Sequence, residues 1–141
     1  MTAKGKYDFY FLAYVLMSNH YHLLIKTTKP NLSRIMHYIN GSYTTYFNVK
    51  RGRTGHLFQG RYKSLAIDAD SYFKELTKYI HLNPIRAKTV ENLGDYKWSS
   101  YKAYIGRKRK DTYIDKQEIR KYLDMTGGRY RLFVDGMSGK R

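Results

Sequence analysis

The sequence predicts an α+β fold, in which an antiparallel β-hairpin precedes a series of helices. Residues 7–16, YDFYFLAYVL, are rich in aromatic and β-branched side chains, a composition typical of a strand. Residues 20–27 form a second apolar run, and the Met-Ser-Asn sequence between the two runs is typical of a turn. From residue 31 onward, apolar side chains recur at the spacing of a helix that faces a core.

A helix and a third strand are predicted after the hairpin. Asn31 or Ser33 is placed to cap a helix that runs to about Lys50. Its apolar stripe consists of Leu32, Ile35, Ile39, Tyr43, Tyr46 and Phe47. Residues 56–68, HLFQGRYKSLAID, predict a third strand, in which Gly60 allows a bend or bulge.

A second long helix is predicted in the stretch that leads to a proline. Asp70 or Ser71 is placed to cap this helix, which continues to about Leu82. Because the residue before a proline disfavours helical geometry, we expect Pro84 to end the helix near Asn83.

The domain organisation is predicted from a change in charge late in the chain. Residues 1–106 are expected to form one domain, which ends with a short helix or turn in WSSYKAYIG, residues 98–106. The basic run at 107–110 is typical of a linker. Residues 115–134 then predict one or two small helices, so 107–141 is interpreted as a linker with a helical tail.

Composition points to a polyanionic partner. The chain has 27 Lys and Arg against 11 Asp and Glu, a net charge of +16, which favours nucleic acid over an acidic membrane surface. No stretch reaches the ~20 apolar residues of a membrane span, so no membrane partner is expected. Without a signal peptide or cysteine, the expected location is the cytoplasm. The 16 tyrosines suit a groove for single-stranded nucleic acid, although many fit a sheet equally well.

Two histidines in SNHYHLLIK, residues 18–26, form the first candidate site. Side chains alternate along a strand, so His20 and His22 would project from the same face. Most surface His-x-His pairs bind nothing, and a metal site needs at least one further ligand. Three other histidines are weaker candidates, each expected to be structural or exposed: His37, His56 and His81.

The second candidate site lies in KYIHLNPIRA, residues 78–87. Tyr79 and Asn83 are four residues apart, which places them on the same face of a helix. A phenol can attack a phosphodiester, and the resulting ester can be displaced again by a DNA hydroxyl. The amide of Asn83 could complete a His-His-Asn site for a divalent ion that polarises the scissile phosphate.

Four basic residues flank the predicted third strand and are candidates for DNA contact: Arg51, Arg53, Arg61 and Lys63. Their positive charge suits phosphate groups. For Arg51 and Arg53, a solvated surface role is an equally good interpretation.

Five segments together resemble a known family: AYVLMSNHYHLLIK, NLSRIMHYINGSYTTYFN, GHLFQGRYKS, YIHLNPIRA and WSSYKAYIG. In order and spacing they resemble the single-tyrosine transposases of the His-hydrophobic-His superfamily. The most similar branch is the REP-associated tyrosine transposases, relatives of the transposases of small insertion sequences. The resemblance spans roughly residues 8–106.

The resemblance implies a role for each motif residue. His20 and His22 match the family's metal-binding pair, and Asn83 matches a further ligand to Mg²⁺ or Mn²⁺. Tyr79 matches the nucleophile that forms a 5′-phosphotyrosine link and frees a 3′-hydroxyl. The implied substrate is single-stranded DNA that carries a hairpin, and the implied fold is a ferredoxin-like antiparallel sheet with helices on one face.

One departure from the family predicts an oligomer. Members usually begin with a strand and a helix before the YVLMSNHYH hairpin, and only about six residues precede Tyr7 here. A sheet without its first strand would leave backbone groups unpaired, so we expect a homodimer that repairs the sheet. The rival expectation is a smaller sheet.

Two further functions are consistent with the same motifs. A domain of this family that has lost its activity would bind DNA or RNA hairpins without cutting them. A basic structural protein with a histidine pair of no chemical role would show no dependence on divalent ions.

Overall fold

The computed structural model describes residues 3–58, 60–106 and 113–138 and confirms the mixed α+β class. Its two strands form an antiparallel sheet, β1 (Phe9–Leu16) and β2 (Tyr21–Thr27). Its α-helices are α1 (Ala3–Lys6), α2 (Leu32–Arg51), α3 (Ala69–Arg86), α4 (Tyr101–Tyr104), α5 (Lys116–Arg120) and α6 (Gly127–Ser138). A 3₁₀-helix covers Leu93–Asp95. The linker predicted at 107–110 lies outside the described residues.

The chain divides into two compact units. The first combines Met1–Phe9 with Thr27–Ala66, and so contains α1 and α2. The second combines Tyr10–Lys26 with Ile67–Arg141, and so contains the hairpin and α3 to α6. The predicted boundary near residue 106 stays a prediction.

In the first unit, α2 begins without the predicted side-chain cap. The backbone carbonyl of Asn31 accepts a bond from the Ile35 N–H, but the Asn31 side chain makes no capping bond. The Ser33 hydroxyl instead bonds the Tyr62 hydroxyl at 2.8 Å. At the other end, Gly52 adopts φ 63°, a left-handed conformation that ends helices and that glycine reaches without strain.

The third strand predicted at 56–68 is wrong for the residues of that range that the structure describes, which carry no strand. A strand forms where its backbone pairs with a neighbour and one face is buried. Here the side chains of Ser64, Leu65 and Ala66 are all exposed, and Leu65 keeps 84% of its surface in solvent. No face of this segment is buried, so burial of its side chains does not stabilise a strand here.

The hydrophobic core of the second unit is built on β1, where four consecutive residues, 12–15, are buried. Helix α3 contributes Phe73, Ile80 and Leu82 to the same core, and α6 contributes Tyr130 and Val134. A strand buried on both faces needs cover from two sides. Residues beyond 113 therefore supply part of the core that supports the hairpin.

The edge of β1 that faces away from β2 is covered by residues 96–104. The Leu16 N–H donates to the Trp98 carbonyl at 2.8 Å, and the Ser100 N–H donates to the Tyr14 carbonyl at 3.0 Å. The Tyr104 hydroxyl donates to the Leu12 carbonyl at 2.6 Å. The expectation that two strands are left with unpaired groups is therefore wrong for β1, because side chains and a single antiparallel bridge take the place of a strand.

Helix α3 continues through Pro84 to Arg86, so the prediction that it ends near Asn83 is wrong. Proline lacks the N–H that would bond the carbonyl four residues earlier, which here is that of Ile80. The Asn83 side chain compensates, because its Nδ2 donates to the Ile80 carbonyl at 3.3 Å and to the Tyr79 carbonyl at 3.1 Å. Because a side-chain N–H replaces the missing backbone N–H, the helix continues beyond the proline.

The end of β2 is tied to α5 by a buried carboxylate. Glu118 is 4% exposed, and it pairs with Lys26 at 2.5 Å and with Lys121 at 3.0 Å. The hydrogen bond from Lys26 is the main reason that the pKa of Glu118 lies below its usual value. Both charges of the Lys26–Glu118 pair are thus retained at neutral pH.

Candidate active site

The hairpin brings the two predicted histidines together. The Met17 N–H donates to the His20 carbonyl at 2.8 Å, which closes the turn and places His20 immediately before β2. His22 lies on β2, and the two imidazole centroids are 5.1 Å apart at 89°. The two rings are therefore neighbours, as their spacing on an extended chain predicts.

One nitrogen of His20 is fixed by a hydrogen bond. Its Nδ1 lies 2.7 Å from Oδ1 of Asn19. An amide oxygen only accepts, so Nδ1 carries the proton and Nε2 keeps a lone pair. Metal-binding histidines commonly have this arrangement, in which one nitrogen donates to a neighbour and the other binds the ion.

His22 is poised in its neutral form. Partial burial, together with the charge of His20, holds the pKa of His22 below its usual value. A neutral imidazole has a lone pair to offer to a cation or a proton. The lowered pKa of His22 thus favours the form of the imidazole that can bind a cation.

The predicted nucleophile lies beside this pair. Tyr79 lies on α3 with its side chain 48% exposed, and its ring centroid is 6.1 Å from that of His22, at 79°. Residues 57 positions apart in the sequence are therefore adjacent within the second unit. An exposed phenol can be reached by a large substrate, whereas buried tyrosines such as Tyr130 cannot.

Arg86 is a residue of this site that the sequence analysis missed. Its guanidinium lies 4.7 Å from the centroid of the Tyr79 ring. The two residues are seven positions apart, which is about two turns of α3. This spacing indicates that both side chains lie on the same face of the helix. The expected end of the helix near Asn83 hid this relation, because Arg86 would then have been in a loop.

Asn83 presents its amide oxygen outward as a consequence of the proline. Since Nδ2 donates to two carbonyls of α3, Oδ1 is the atom directed away from the helix backbone. An amide oxygen is a suitable ligand for hard divalent cations. Asn83 follows Tyr79 by one helical turn, so both side chains lie on the same face of α3.

The donor set that these residues offer is two imidazole nitrogens and one amide oxygen. Within the described part of the chain, no cluster of three His, Cys, Asp or Glu could hold an ion. As ligand types, two imidazoles and a neutral amide oxygen suit a divalent cation that keeps water in its other positions. Imidazole suits transition metals better than Mg²⁺, so the set favours Mn²⁺ over Mg²⁺.

His81, a weaker metal candidate, is a structural residue. It is fully buried, with Nδ1 2.7 Å from the Tyr130 hydroxyl and Nε2 2.8 Å from the Ser100 hydroxyl. Burial lowers the pKa of His81 to about 3. Both ring nitrogens are thus occupied by neighbours. His37 and His56 are exposed.

The four basic candidates all lie in the first unit. Arg51, Arg61 and Lys63 are exposed. Arg53 is partly engaged, since its guanidinium donates to the Asn48 side chain at 2.8 Å and to the His56 carbonyl at 3.1 Å. Arg53 therefore organises the loop after α2.

The arrangement of the second unit defines a class of protein, one in which an exposed tyrosine on a helix lies beside paired imidazoles on a strand. A family model described as IS200-like transposase matches residues 2–83, more than half of the chain. The chain belongs to this family of transposases, and the match includes His20, His22, Tyr79 and Asn83. Searches of curated proteins and of solved structures gave no match.

Membership of a transposase family implies that DNA is the substrate. In the ranges that the structure describes, no helix is both long and apolar enough to cross a membrane. The positive charge of the chain is consistent with a DNA partner.

Proposed function

We propose that this chain is a nicking and joining transposase of the His-hydrophobic-His superfamily, from the REP-associated branch. Its substrate is single-stranded DNA that carries a hairpin. The observation that carries the proposal is the contact between Tyr79 and His22, whose ring centroids are 6.1 Å apart. This contact joins the proposed nucleophile to one histidine of the proposed metal-binding pair.

The proposed reaction is a transesterification at phosphorus. The Tyr79 oxygen attacks the scissile phosphate, a P–O bond to Tyr79 forms, and the bond from phosphorus to the 3′-oxygen breaks. The phenolic proton is lost to solvent and the leaving 3′-oxygen takes up a proton. Because one phosphate ester replaces another, the energy of the broken bond is kept, and a DNA 3′-hydroxyl can reverse the step without ATP.

His20, His22 and Asn83 are the residues that would hold a divalent ion, Mg²⁺ or Mn²⁺. When bound, the ion polarises the scissile phosphate and stabilises the charge that develops on it. The chain's own part is to keep His20 in the tautomer that binds through Nε2 and to keep His22 neutral. Arg86 adds a fixed positive charge beside the nucleophile, where the phosphate must approach.

The test is formation of a covalent adduct with a single-stranded hairpin oligonucleotide in Mn²⁺, seen as a band that survives denaturing electrophoresis. We expect an adduct with the native chain and none with Tyr79→Phe, which removes only the hydroxyl and should keep DNA affinity. The matched control is Tyr72→Phe, on the same helix and similarly exposed at 50%. An adduct that persists in Tyr79→Phe refutes the assignment.

The metal site is tested separately by titration calorimetry with Mn²⁺ and with Mg²⁺. We expect one site, tighter for Mn²⁺, that His22→Ala removes and that the exposed His37→Ala leaves unchanged. Identical binding by the His22→Ala chain would contradict the site. A chain that binds hairpin DNA but forms no adduct under any divalent ion would instead be a non-catalytic hairpin-binding module.

A further inference from the structure

The first unit carries a group of aromatic rings, two exposed and two half-buried, that the proposed chemistry does not use. We call it the aromatic surface, and it consists of Tyr43, Tyr46 and Phe47 on α2 with Phe58 from the following loop. The Tyr43 centroid lies 6.2 Å from Tyr46, 6.0 Å from Phe47 and 6.4 Å from Phe58. The rings therefore form one continuous patch centred on Tyr43.

This patch is not part of a core. Tyr43 and Tyr46 lie on the apolar stripe that predicts a buried helix face, yet they keep 48% and 56% of their surface in solvent. Near the start of the same helix, Ile35 and Met36 are 0% and 6% exposed. The first half of α2 is thus buried, and its second half presents rings to solvent.

Cations surround the aromatic surface. The Lys50 ammonium lies 5.5 Å from the Tyr46 centroid, and the guanidinium groups of Arg51 and Arg53 lie 5.5 and 5.7 Å from the Phe47 centroid. Arg53 also holds the loop that leads to Phe58, through its bond to the His56 carbonyl. The patch is apolar at its centre and positive at its rim.

The charge of the whole unit identifies the kind of occupant. Residues 1–9 and 27–66 contain nine Lys and Arg and a single acid, Asp8. Helix α2 itself contains no Asp or Glu. The same basic surface of a second copy would be repelled here, whereas a polyanion is attracted. A polyanion that also offers flat π-faces is a nucleic acid with unpaired bases.

We propose that the aromatic surface is a stacking platform for unpaired bases of a nucleic acid strand, with Tyr43 and Tyr46 contacting bases and Lys50 and Arg51 contacting phosphates. In a duplex the base faces are already stacked on one another, so only a single-stranded or looped segment has faces to offer. The proposal rests on the proposed function in one respect, which is that nucleic acid is the substrate. It adds a binding surface separate in sequence from Tyr79 and the histidine pair.

The test is fluorescence anisotropy with a labelled single-stranded oligothymidylate, without a divalent ion. The Tyr43→Ala/Tyr46→Ala chain should bind roughly tenfold or more weakly, since each stacked base is lost on removal of its ring. Tyr43→Phe/Tyr46→Phe keeps both rings and should bind nearly as the native chain does. Two controls should leave the affinity unchanged: Tyr113→Ala, which removes a ring that is 64% exposed in the other unit, and Val49→Ala, which alters an exposed position of α2.

The dependence of DNA affinity on salt concentration distinguishes base stacking on the rings from phosphate contacts by the cations. Loss of a phosphate contact flattens the dependence of log affinity on log salt by just under one unit per charge. The Tyr43→Ala/Tyr46→Ala chain should therefore keep the native slope while its affinity falls, and Lys50→Ala should lower the slope. The native chain should bind an abasic oligonucleotide more weakly than the intact one. The Tyr43→Ala/Tyr46→Ala chain should bind the two oligonucleotides with the same affinity.

Two results would overturn the platform. One is unchanged oligothymidylate affinity in the folded Tyr43→Ala/Tyr46→Ala chain, with helical content verified by circular dichroism. The other is unchanged affinity accompanied by conversion from dimer to monomer in light scattering, which would assign the surface to a second copy. Because adduct formation at Tyr79 is measured independently with Mn²⁺, failure of the platform is distinguishable from failure of the proposed chemistry.

Discussion

At the scale of single residues, His81 shows how a group two positions from the proposed nucleophile, Tyr79, stabilises the fold. The Tyr130 hydroxyl donates to Thr77 Oγ1 at 3.0 Å, so it accepts from His81 Nδ1 at 2.7 Å. His81 Nε2 is then the acceptor for the Ser100 hydroxyl at 2.8 Å. A neutral imidazole satisfies both partners and joins α3 to α6 and to the segment that covers β1.

The stability of the chain should fall as the pH falls below about 6.5, the ordinary pKa of histidine. His81 stays neutral in the folded chain down to a pKa of about 3, whereas the unfolded chain takes up a proton at 6.5. In that window the native chain should lose about 1.4 kcal/mol per pH unit more than His81→Gln does. Denaturant unfolding at several pH values measures this difference, with the exposed His37→Gln as control. Equal slopes in His81→Gln and the native chain would contradict it.

At the scale of elements, the continuity of α3, the helix that carries the proposed nucleophile, depends on a local compensation. Asn83 supplies the hydrogen bond to the Ile80 carbonyl that Pro84 cannot make. The added turn brings Arg86 over Tyr79. The same side chain is the proposed metal ligand, so one asparagine serves both the continuity of α3 and the site.

The packing of α6 depends on Gly127, the first residue of that helix. A Cβ placed there would lie 2.8 Å from the backbone of Ile105, and backbone atoms cannot move aside as a flexible side chain can. We expect Gly127→Ala to lower the free energy of unfolding by about 1–3 kcal/mol. Thermal or denaturant unfolding measures the change. Gly128→Ala, the next residue, meets no atom within 4 Å and should cause no comparable loss. A Gly127→Ala chain as stable as Gly128→Ala would show that the two segments are not in contact.

At the scale of the whole molecule, the two edges of the sheet differ in what is available for association. The far edge of β1 is satisfied by residues 96–104, and among the described residues β2 has a strand only on its β1 side. Met17 pairs with His20, and a ladder that alternates from this pair would direct the Ile25 N–H away from β1. A homodimer, if formed through the sheet, would therefore use β2, which carries His22.

We expect a homodimer with twice the 16.8 kDa mass of one chain, measured by light scattering at micromolar concentration. Ile25→Pro removes the outward N–H of β2 and should shift the equilibrium to monomer, since proline is tolerated at an edge strand but cannot donate to a new partner. A native chain that stays at 16.8 kDa would refute the dimer and support the smaller, two-stranded sheet.

The sequence alone predicted the hairpin, the α+β class and four candidate residues of the site: His20, His22, Tyr79 and Asn83. These depend on patterns of short range: alternation in 20–27 brings two imidazoles together, and a four-residue spacing puts Tyr79 and Asn83 on one helix face. Charge is also a property of composition, so an excess of 16 positive charges indicated a polyanion before any fold was known.

Only the tertiary structure showed where the sequence pattern predicts burial or a strand that the fold does not have. Residues 56–68 predict a strand, but strand formation needs a neighbouring strand, and no local sequence pattern records whether one is present. The stripe of α2 was predicted to be buried, yet Tyr43 and Tyr46 are exposed, because burial depends on what lies opposite a helix face. The contact between His22 and Tyr79 is likewise long-range: it joins β2 to α3, whose Phe73 and Ile80 belong to the same hydrophobic core as β1, and a single sequence does not encode that packing in any local pattern.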